Sequence, residues 1–366
     1  MPANSIGKNF TVTVFGESHG WCVGAVVDGC PPGLPLSLED VQRELDRRRP
    51  SLEEASTQRR EEDRAEILSG VFKGCTTGAP ICMVVWNKDV QSEVYEEFRR
   101  KPRPGHADYP VSVRYGGFND YRGGGRFSAR VTVGFVMAGA IAKKLLSTGG
   151  VEVLAHTVEI GGVGLKRQLS LDEIRSNVYM NPVQCADSEA AQMMEKAIHD
   201  AKAGGDSVGG IVECVALNLP VGVGDPIFDS LDAELAKILF CIPAVKGVEF
   251  GAGFQAARLR GSENNDQYMI REGRVVTLTN NAGGILGGLS TGMPLVTRVA
   301  FKPPSSIPKR QGTVDLDTMT ETTIEVKGRH DACVVPRAVP IVESTVAMVL
   351  ADHLLRLGLV KVAGSR

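Results

Sequence analysis

Two histidines stand in short turns that could present them to a ligand. His19 lies in "GESHG", directly after a β-like run, and His106 lies in "RPGHAD", where Pro104 and Gly105 favour a turn. An imidazole titrates near neutral pH and can give or take a proton in a reaction. Each histidine alone could equally be a turn residue with a local hydrogen bond. A hydrolase nucleophile elbow, G-x-S-x-G, is excluded because Ser18 is followed by His and the spacing differs.

The stretch "YRGGGRFSAR" (121–130) combines three consecutive glycines with three arginines and then enters an apolar segment. Glycines let backbone N–H groups approach an anion, and Arg122, Arg126 and Arg130 can donate paired hydrogen bonds to phosphate or carboxylate. A helix is predicted from near Ser128, and its N-terminus would favour negative charge. The spacing fits neither a Walker A loop nor a dinucleotide fingerprint.

Further loops carry groups suited to anions. In "KGRHDACVVPR", Asp331 is flanked by arginines and should stay ionised, as a base or as an acceptor that orients a ligand. "FKPPSSIPKRQG" adds Lys302, Ser305 and Ser306 on a proline-rich frame. The arginines of "DRRRP" and "QRREED" could also bind anions, but nearby acids, Asp63 among them, favour a solvated charged loop for that segment alone. Together, these loops predict a pocket for polyanionic small ligands.

Composition narrows the function classes. The chain has 366 residues, 43% apolar and 5% aromatic, with a net charge of −2, which argues against a nucleic-acid binder. The longest nearly uncharged segment, 131–142, is shorter than the roughly 20 residues that cross a bilayer, and the N-terminus lacks a signal pattern. We therefore expect a cytoplasmic protein without a membrane segment. Eight scattered cysteines without a C-x-x-C pair predict reduced, mostly buried thiols and no metal site.

Strands and helices must bring these loops together. β-like runs bounded by turn residues predict strands over 10–16, 65–72, 79–86, 151–160, 208–219 and 321–327. Periodicity and caps predict helices over 37–48, 128–147, 187–203, 229–240 and 336–357.

The helices predicted over 128–147 and 336–357 are apolar nearly all round, as expected for helices buried on most sides. Alternating strands on either side suggest antiparallel sheets around a helical centre, whereas a doubly wound parallel sheet is disfavoured. No linker divides the chain. We predict an α+β fold in a single compact domain over 1–366.

In combination, the motifs closely resemble those of chorismate synthases over essentially the whole chain. The similarity rests on "FGESHG", "RRRP", "RPGHADY", "YRGGGRFSAR", "GDSVGG", "VKGVEFGAGF", "NNAGGILGGLSTG", "KPPSSI" and "GRHDACVVPRAVPIVE". The resemblance implies an anti-1,4 elimination of phosphate from 5-enolpyruvylshikimate 3-phosphate to give chorismate. It also implies a β-α-β sandwich, a homotetramer, and a need for reduced FMN without net redox change.

The resemblance also assigns roles to residues. His19 would protonate the leaving phosphate, His106 would act on the flavin ring, and Asp331 would assist proton removal near flavin N5. The positions that would bind substrate are Ser18, Arg48, Arg49, Arg130 and Arg337. The positions that would contact the flavin are Arg126, Phe127, Ser128, Ala244, Gly287, Lys302, Ser305, Ser306 and Arg329.

One departure from the family pattern leaves an alternative open. Glu53 and Glu54 stand after "RRRP" where a cation is expected, and carboxylates there would repel the substrate phosphate. The alternative is a flavin-binding homologue with impaired turnover because of the altered 51–56 loop. No dinucleotide fingerprint or added reductase domain is visible, so an external flavin reductant is expected, although reduction by NADPH on the protein itself stays open.

Overall fold

Two antiparallel five-stranded sheets form the outer layers of the protein. The computed structural model describes residues 3–49, 62–88, 95–326, 331–360 and 362. The strands are β1 (Ser5–Ile6), β2 (Thr11–Gly16), β3 (Cys22–Asp28), β4 (Ala65–Ile67), β5 (Val71–Phe72), β6 (Cys75–Thr76), β7 (Ile81–Trp86), β8 (Glu152–Ile160), β9 (Val163–Gly164), β10 (Gly210–Leu217), β11 (Val245–Phe250), β12 (Tyr268–Arg271), β13 (Arg274–Thr277), β14 (Ile285–Leu286), β15 (Leu289–Ser290), β16 (Leu295–Phe301), β17 (Arg310–Asp315) and β18 (Thr320–Glu325). The first sheet has the order β1-β2-β3-β7-β4 and the second the order β11-β16-β10-β8-β9.

Helices fill the space between the sheets and cover their edges. The α-helices of the described residues are α1 (Leu38–Arg48), α2 (Tyr95–Arg100), α3 (Asp108–Tyr115), α4 (Thr132–Ser147), α5 (Leu171–Asn177), α6 (Ser188–Ala203), α7 (Leu231–Leu239), α8 (Gly261–Asn264) and α9 (Val335–Arg356). The start of α1 is fixed by a capping box between Ser37 and Asp40, and α6 is capped by Asp187.

The central layer consists of α4 and α9. Helix α4 packs between the first sheet and α9, and α9 packs on β8 and β10 of the second sheet. The backbones of α4 and α9 approach closely because Gly139 faces Ser344, and a Cβ at Gly139 would lie 2.6 Å from Ser344 Cα. Side chains such as Met137 and Ile141 are completely buried, and each contributes about 1.5–3 kcal/mol through the hydrophobic effect.

Helix α9 is long and apolar enough to span a membrane by length and composition. However, 94% of its most apolar stretch is buried inside the protein. Its apolar surface is therefore explained by its central position between α4 and the second sheet.

The cysteines are reduced, and burial suppresses the reactivity of Cys30 and Cys333. All eight are free thiols; Cys30, Cys185, Cys214 and Cys333 are buried and Cys241 is exposed. Burial raises the pKa of Cys30 to about 11 and that of Cys333 to about 12, so both are protonated at neutral pH.

The predicted α+β sandwich around central helices is confirmed, while three predicted elements differ. The strand predicted over 65–72 is interrupted by a turn at Gly70, which has a φ of +81°. The strand predicted over 321–327 is present as β18, which ends at Glu325 and, within the described residues, pairs with β17 in a hairpin outside the two five-stranded sheets. Helix α4 begins at Thr132 and not at 128, because Ser128 caps a short 3₁₀ turn that precedes it.

The close crossing of α4 and α9 can be tested by stability. We expect Gly139→Ala to lower the free energy of unfolding by about 1–3 kcal/mol, because the new methyl group overlaps Ser344. Urea denaturation measures this. The matched control is Gly261→Ala in α8, where a Cβ meets nothing within 4 Å. Equal stability of Gly139→Ala and wild type would contradict the packing described.

Candidate active site

The glycine turn at 123–125 separates the imidazole of His19, which is buried, from that of His106, which is half-buried. Gly123, Gly124 and Gly125 have φ values of 60°, 81° and 52°, a left-handed conformation that other residues rarely adopt. A Cβ on Gly123 would lie 2.6 Å from His19 Nε2, and one on Gly124 would lie 3.9 Å from His106 Nε2. The two histidines, distant in sequence, therefore flank one turn that has no side chains.

The turn that carries Ser18 and His19 is fixed by hydrogen bonds to its backbone. The Ser18 N–H donates to Gly125 O at 3.2 Å, and the Asn87 amide donates to Glu17 O at 3.0 Å and to Gly20 O at 2.9 Å. Both Ser18 and His19 are buried. His19 therefore has a defined position at the end of β2, as its place after a strand predicted.

His106 is oriented by a carboxylate and an arginine. Its Nδ1 lies 2.6 Å from Asp108 Oδ1, and Arg103 Nε donates to Asp108 Oδ2 at 2.8 Å. Burial alone would raise the pKa of Asp108, but hydrogen bonds from Arg103 and His106 outweigh it and hold this pKa well below its usual range. An ionised Asp108 thus fixes the ring, with Nε2 near Gly124.

The loop after β16 packs against the turn that carries His106. Lys302 Nζ donates to Gly105 O at 3.1 Å, and Arg103 Nη1 donates to Ser306 Oγ at 3.1 Å. A Cβ on Gly105 would lie 3.3 Å from Ser305 Cβ. Ala244, just before β11, contacts the same loop: the Lys302 N–H donates to Ala244 O at 2.9 Å.

Arg48 and Arg130 converge on the buried carboxylate of Asp63. Arg48 Nη1 lies 3.2 Å from Asp63 Oδ2, and Arg130 Nη1 pairs with the other oxygen, Oδ1. Arg48 also donates from Nη2 to Ala129 O at 3.0 Å and from Nε to Thr132 Oγ1 at 3.3 Å. These contacts hold the end of α1 against the start of α4.

A third arginine extends this group, which we call the arginine cluster: Arg48, Arg130 and Arg337 with Asp63 and Asp331. Arg337 Nη1 lies 2.9 Å from Asp331 Oδ2. Burial and the charge of Arg337 lower the pKa of Arg48 to about 9, although Asp63 opposes the shift, so Arg48 is still charged at neutral pH. Three cations face two carboxylates, which leaves a positive site for an anion.

Asp63 was missed by sequence analysis, which placed it in a solvated charged loop. The structure corrects this: Asp63 is 5% exposed. Burial would raise its pKa, but Arg48 and Arg130 outweigh burial and lower it. Nothing in "QRREED" distinguishes this acid from its neighbours.

Other predicted site residues lie farther from the two histidines. Arg49 Nη1 pairs with Asp46 Oδ1 at 3.3 Å, on the same helix end. Gly287 lies in the turn between β14 and β15, which packs on the start of α7 through Gly288 and Ser230. No contact between Gly287 and either histidine is found in the described part of the chain.

Arg126 and Phe127, directly after the glycine turn, line a cavity on the side of β2. Arg126 donates to Asn4 Oδ1, and both residues line a largely apolar cavity of about 470 Å³ that also includes Val12 and Phe135. Phe127 additionally lines the small pocket that contains His106 and Gly124. Ser128 accepts a hydrogen bond from the Arg130 N–H at 3.2 Å.

Two predicted features fall outside the described residues: Arg329, assigned to flavin contact, and the 51–56 loop with Glu53 and Glu54. Within the residues that are described, no group of three or more His, Cys, Asp or Glu side chains could hold a metal ion.

The pairing around His106 predicts a pH dependence of stability. The folded-state pKa of Asp108 is below its unfolded value of about 3.9, so its stabilisation is complete above that pH and is lost as the pH falls toward the folded-state pKa. We expect wild type to be more stable than Asp108→Asn at pH 5, and the difference to shrink by pH 2.5. Urea titrations at several pH values measure it. Asp317→Asn, at an exposed turn, is the control, and a constant difference across this range would contradict the pairing.

Comparison with known proteins places this arrangement in one family. A family model described as "Chorismate synthase" matches residues 10–355. The chorismate synthase of Dehalococcoides mccartyi is 56% identical over 358 residues, which are 98% of each chain. That of Korarchaeum cryptofilum is 55% identical over 356 residues, 97% of this chain and 98% of the relative.

A solved structure gives the same result at lower identity. The crystal structure of a chorismate synthase superposes with a TM-score of 0.77 at 31% identity, covering 96% of this chain and 93% of the other. The chain belongs to the chorismate synthase family of phosphate-eliminating lyases.

Proposed function

We propose that this protein converts 5-enolpyruvylshikimate 3-phosphate to chorismate by an anti-1,4 elimination of phosphate, with reduced FMN and no net redox change. The observation that carries the proposal is the meeting of His19 and His106 at one glycine turn that runs into the arginine cluster. A substrate with one phosphate and two carboxylates needs several fixed cations, and the leaving phosphate needs a proton donor.

The arginine cluster supplies the electrostatic part of the reaction. Arg48 and Arg130 are buried, so their attraction for an anion is stronger than it would be in water. Their positions are set before substrate arrives by Asp63. Fixed cations of this kind stabilise charge that develops on a departing phosphate without reorganisation.

His19 and Asp331 are proposed as the proton-transfer groups at the substrate. His19 lies on Gly123 beside Ser18, where it can give a proton to the leaving phosphate oxygen. Asp331, ion-paired with Arg337, would assist the removal of the ring proton near flavin N5. His19 thus serves the leaving phosphate, and Asp331 serves the proton that must leave the ring.

The residues around His106 fit a phosphorylated flavin. Lys302, Ser305 and Ser306 are phosphate-suited donors that lie against the His106 turn. Gly124 leaves space next to His106 Nε2, and Phe127 borders the same pocket. When bound, reduced flavin would supply electron density to the allylic system of the substrate. His106, fixed at Nδ1 by Asp108, can hold or release a proton at Nε2 toward the flavin ring.

We further propose a cytoplasmic homotetramer that receives reduced flavin from an external reductant. Large apolar side chains on the surface support association, among them Trp21, 89% exposed, and Phe228, 93% exposed.

The function is tested by an anaerobic assay with chemically reduced FMN. We expect wild type to release phosphate and to form chorismate, read by its absorbance, and to do neither with oxidised FMN. FMN binding without turnover would instead favour the homologue with impaired turnover. In that case Glu54→Arg should restore activity if the 51–56 loop is the cause.

The two histidines are tested separately. His19→Ala and His106→Ala should each lower kcat about 10²–10⁴-fold, the usual contribution of a positioned acid or base, and urea denaturation should show that both variants are folded under the assay conditions. His199→Ala, at an exposed position in α6, is the control. Wild-type kcat in either active-site variant would contradict its assigned role.

The glycine turn is tested by a pair of variants at two positions of similar positive φ. Gly123→Ala places a methyl group against His19 and should lower kcat at least tenfold. Gly273→Ala, in the turn between β12 and β13, has a φ of +73° but meets nothing within 4 Å, so it should keep wild-type kcat. Equal effects would mean that backbone strain, and not contact with His19, is responsible.

A further inference from the structure

Asn87, directly after β7, connects the two halves of the proposed active site. Its side-chain Nδ2 donates to Glu17 O at 3.0 Å and to Gly20 O at 2.9 Å. Its Oδ1 accepts from Arg130 Nε at 3.0 Å. Its backbone N–H donates to Trp21 O at 3.0 Å. One amide therefore contacts both the turn that carries His19 and a member of the arginine cluster.

We propose that Asn87 is a positioning residue that couples the His19 turn to the arginine cluster. Through Arg130 the connection continues to Asp63 and from there to Arg48. A displacement of the substrate-binding arginines is thus transmitted to the turn of the proton donor, and the reverse. The inference rests on the proposed function, because it assigns His19 to catalysis and Arg130 to substrate binding.

The chemistry of the amide explains why asparagine stands here. The two carbonyl oxygens of the turn require a donor, and the guanidinium of Arg130 requires an acceptor. Aspartate has nearly the same shape but presents only acceptors when ionised, so one of its oxygens would face the carbonyls of Glu17 and Gly20. Alanine removes both functions. The two substitutions therefore separate hydrogen bonding from side-chain volume.

Steady-state kinetics with reduced FMN test the coupling. Asn87→Ala should lower kcat about 10–100-fold through His19 and raise the KM for 5-enolpyruvylshikimate 3-phosphate through Arg130. Asn87→Asp should also have a low kcat; wild-type kcat in this near-isosteric variant would overturn the proposal. Asn181→Ala is the matched control, since Asn181 also donates to and accepts from backbone, at 2.5 and 3.2 Å, in the loop between α5 and α6.

A double-mutant cycle distinguishes positioning from a general structural role. In a His19→Ala background, Asn87→Ala should lower kcat less than about threefold further, because the residue it positions is gone, while the rise in KM should remain. If the loss of kcat in the double variant equals the product of the losses in the two single variants, Asn87 acts independently of His19 and the proposal is overturned.

A spectroscopic measurement keeps this test separate from that of the proposed function. The NMR signals of the ring nitrogens in ¹⁵N-labelled histidines are assigned with the variants His19→Ala and His199→Ala. In Asn87→Ala, the signals of His19 should shift and those of His199 should stay unchanged. Absence of turnover in wild type would overturn the proposed function. Independently of that result, an unchanged His19 signal in Asn87→Ala would show that Asn87 does not position this turn.

Discussion

The pairing of Asp63 with Arg48 and Arg130 is the interaction on which the rest of the site depends. Moving a guanidinium out of water costs several kcal/mol, and two neighbouring guanidinium groups also repel each other. A buried carboxylate between them offsets both costs and fixes their directions. Because two cations share one anion there, and Arg337 and Asp331 add a balanced pair, the cluster keeps a positive charge for a ligand. The contacts that stabilise the site thus also leave it with the positive charge that would attract an anion.

The sandwich explains how distant segments reach this cluster. Helix α4 lies between α9 and the first sheet, and the glycine turn reaches it through a short 3₁₀ turn. Arg48 at the end of α1 therefore contacts Ala129 and Thr132 near the start of α4, and Ser18 after β2 contacts Gly125. The second sheet contributes through the loop after β16, which contacts the His106 turn. Each layer therefore supplies one part of the site, and the close crossing at Gly139 sets the distance between them.

Sequence patterns revealed the elements and loops whose signals are local. The capping box predicted the start of α1, and continuous apolar composition predicted the burial of α4 and α9. The histidine turns and the glycine stretch were also recognised, because the residue types that favour a turn are adjacent in the sequence. Asp63 and Asn87 did not, because their partner Arg130 lies 67 and 43 residues away, and only tertiary folding makes an ordinary acid or amide special. The short strands and helices lacked enough residues for a periodic pattern.

The glycine turn has a consequence for how this site can change over generations. Three successive positions with positive φ accept almost no residue other than glycine, so the surface between the two histidines consists of main-chain atoms alone. Mutation cannot diversify a surface that offers no side chains to replace. New ligand preferences must then arise from side chains around the glycine turn, such as Phe127 and Ser306, while the main chain of the turn itself stays the same.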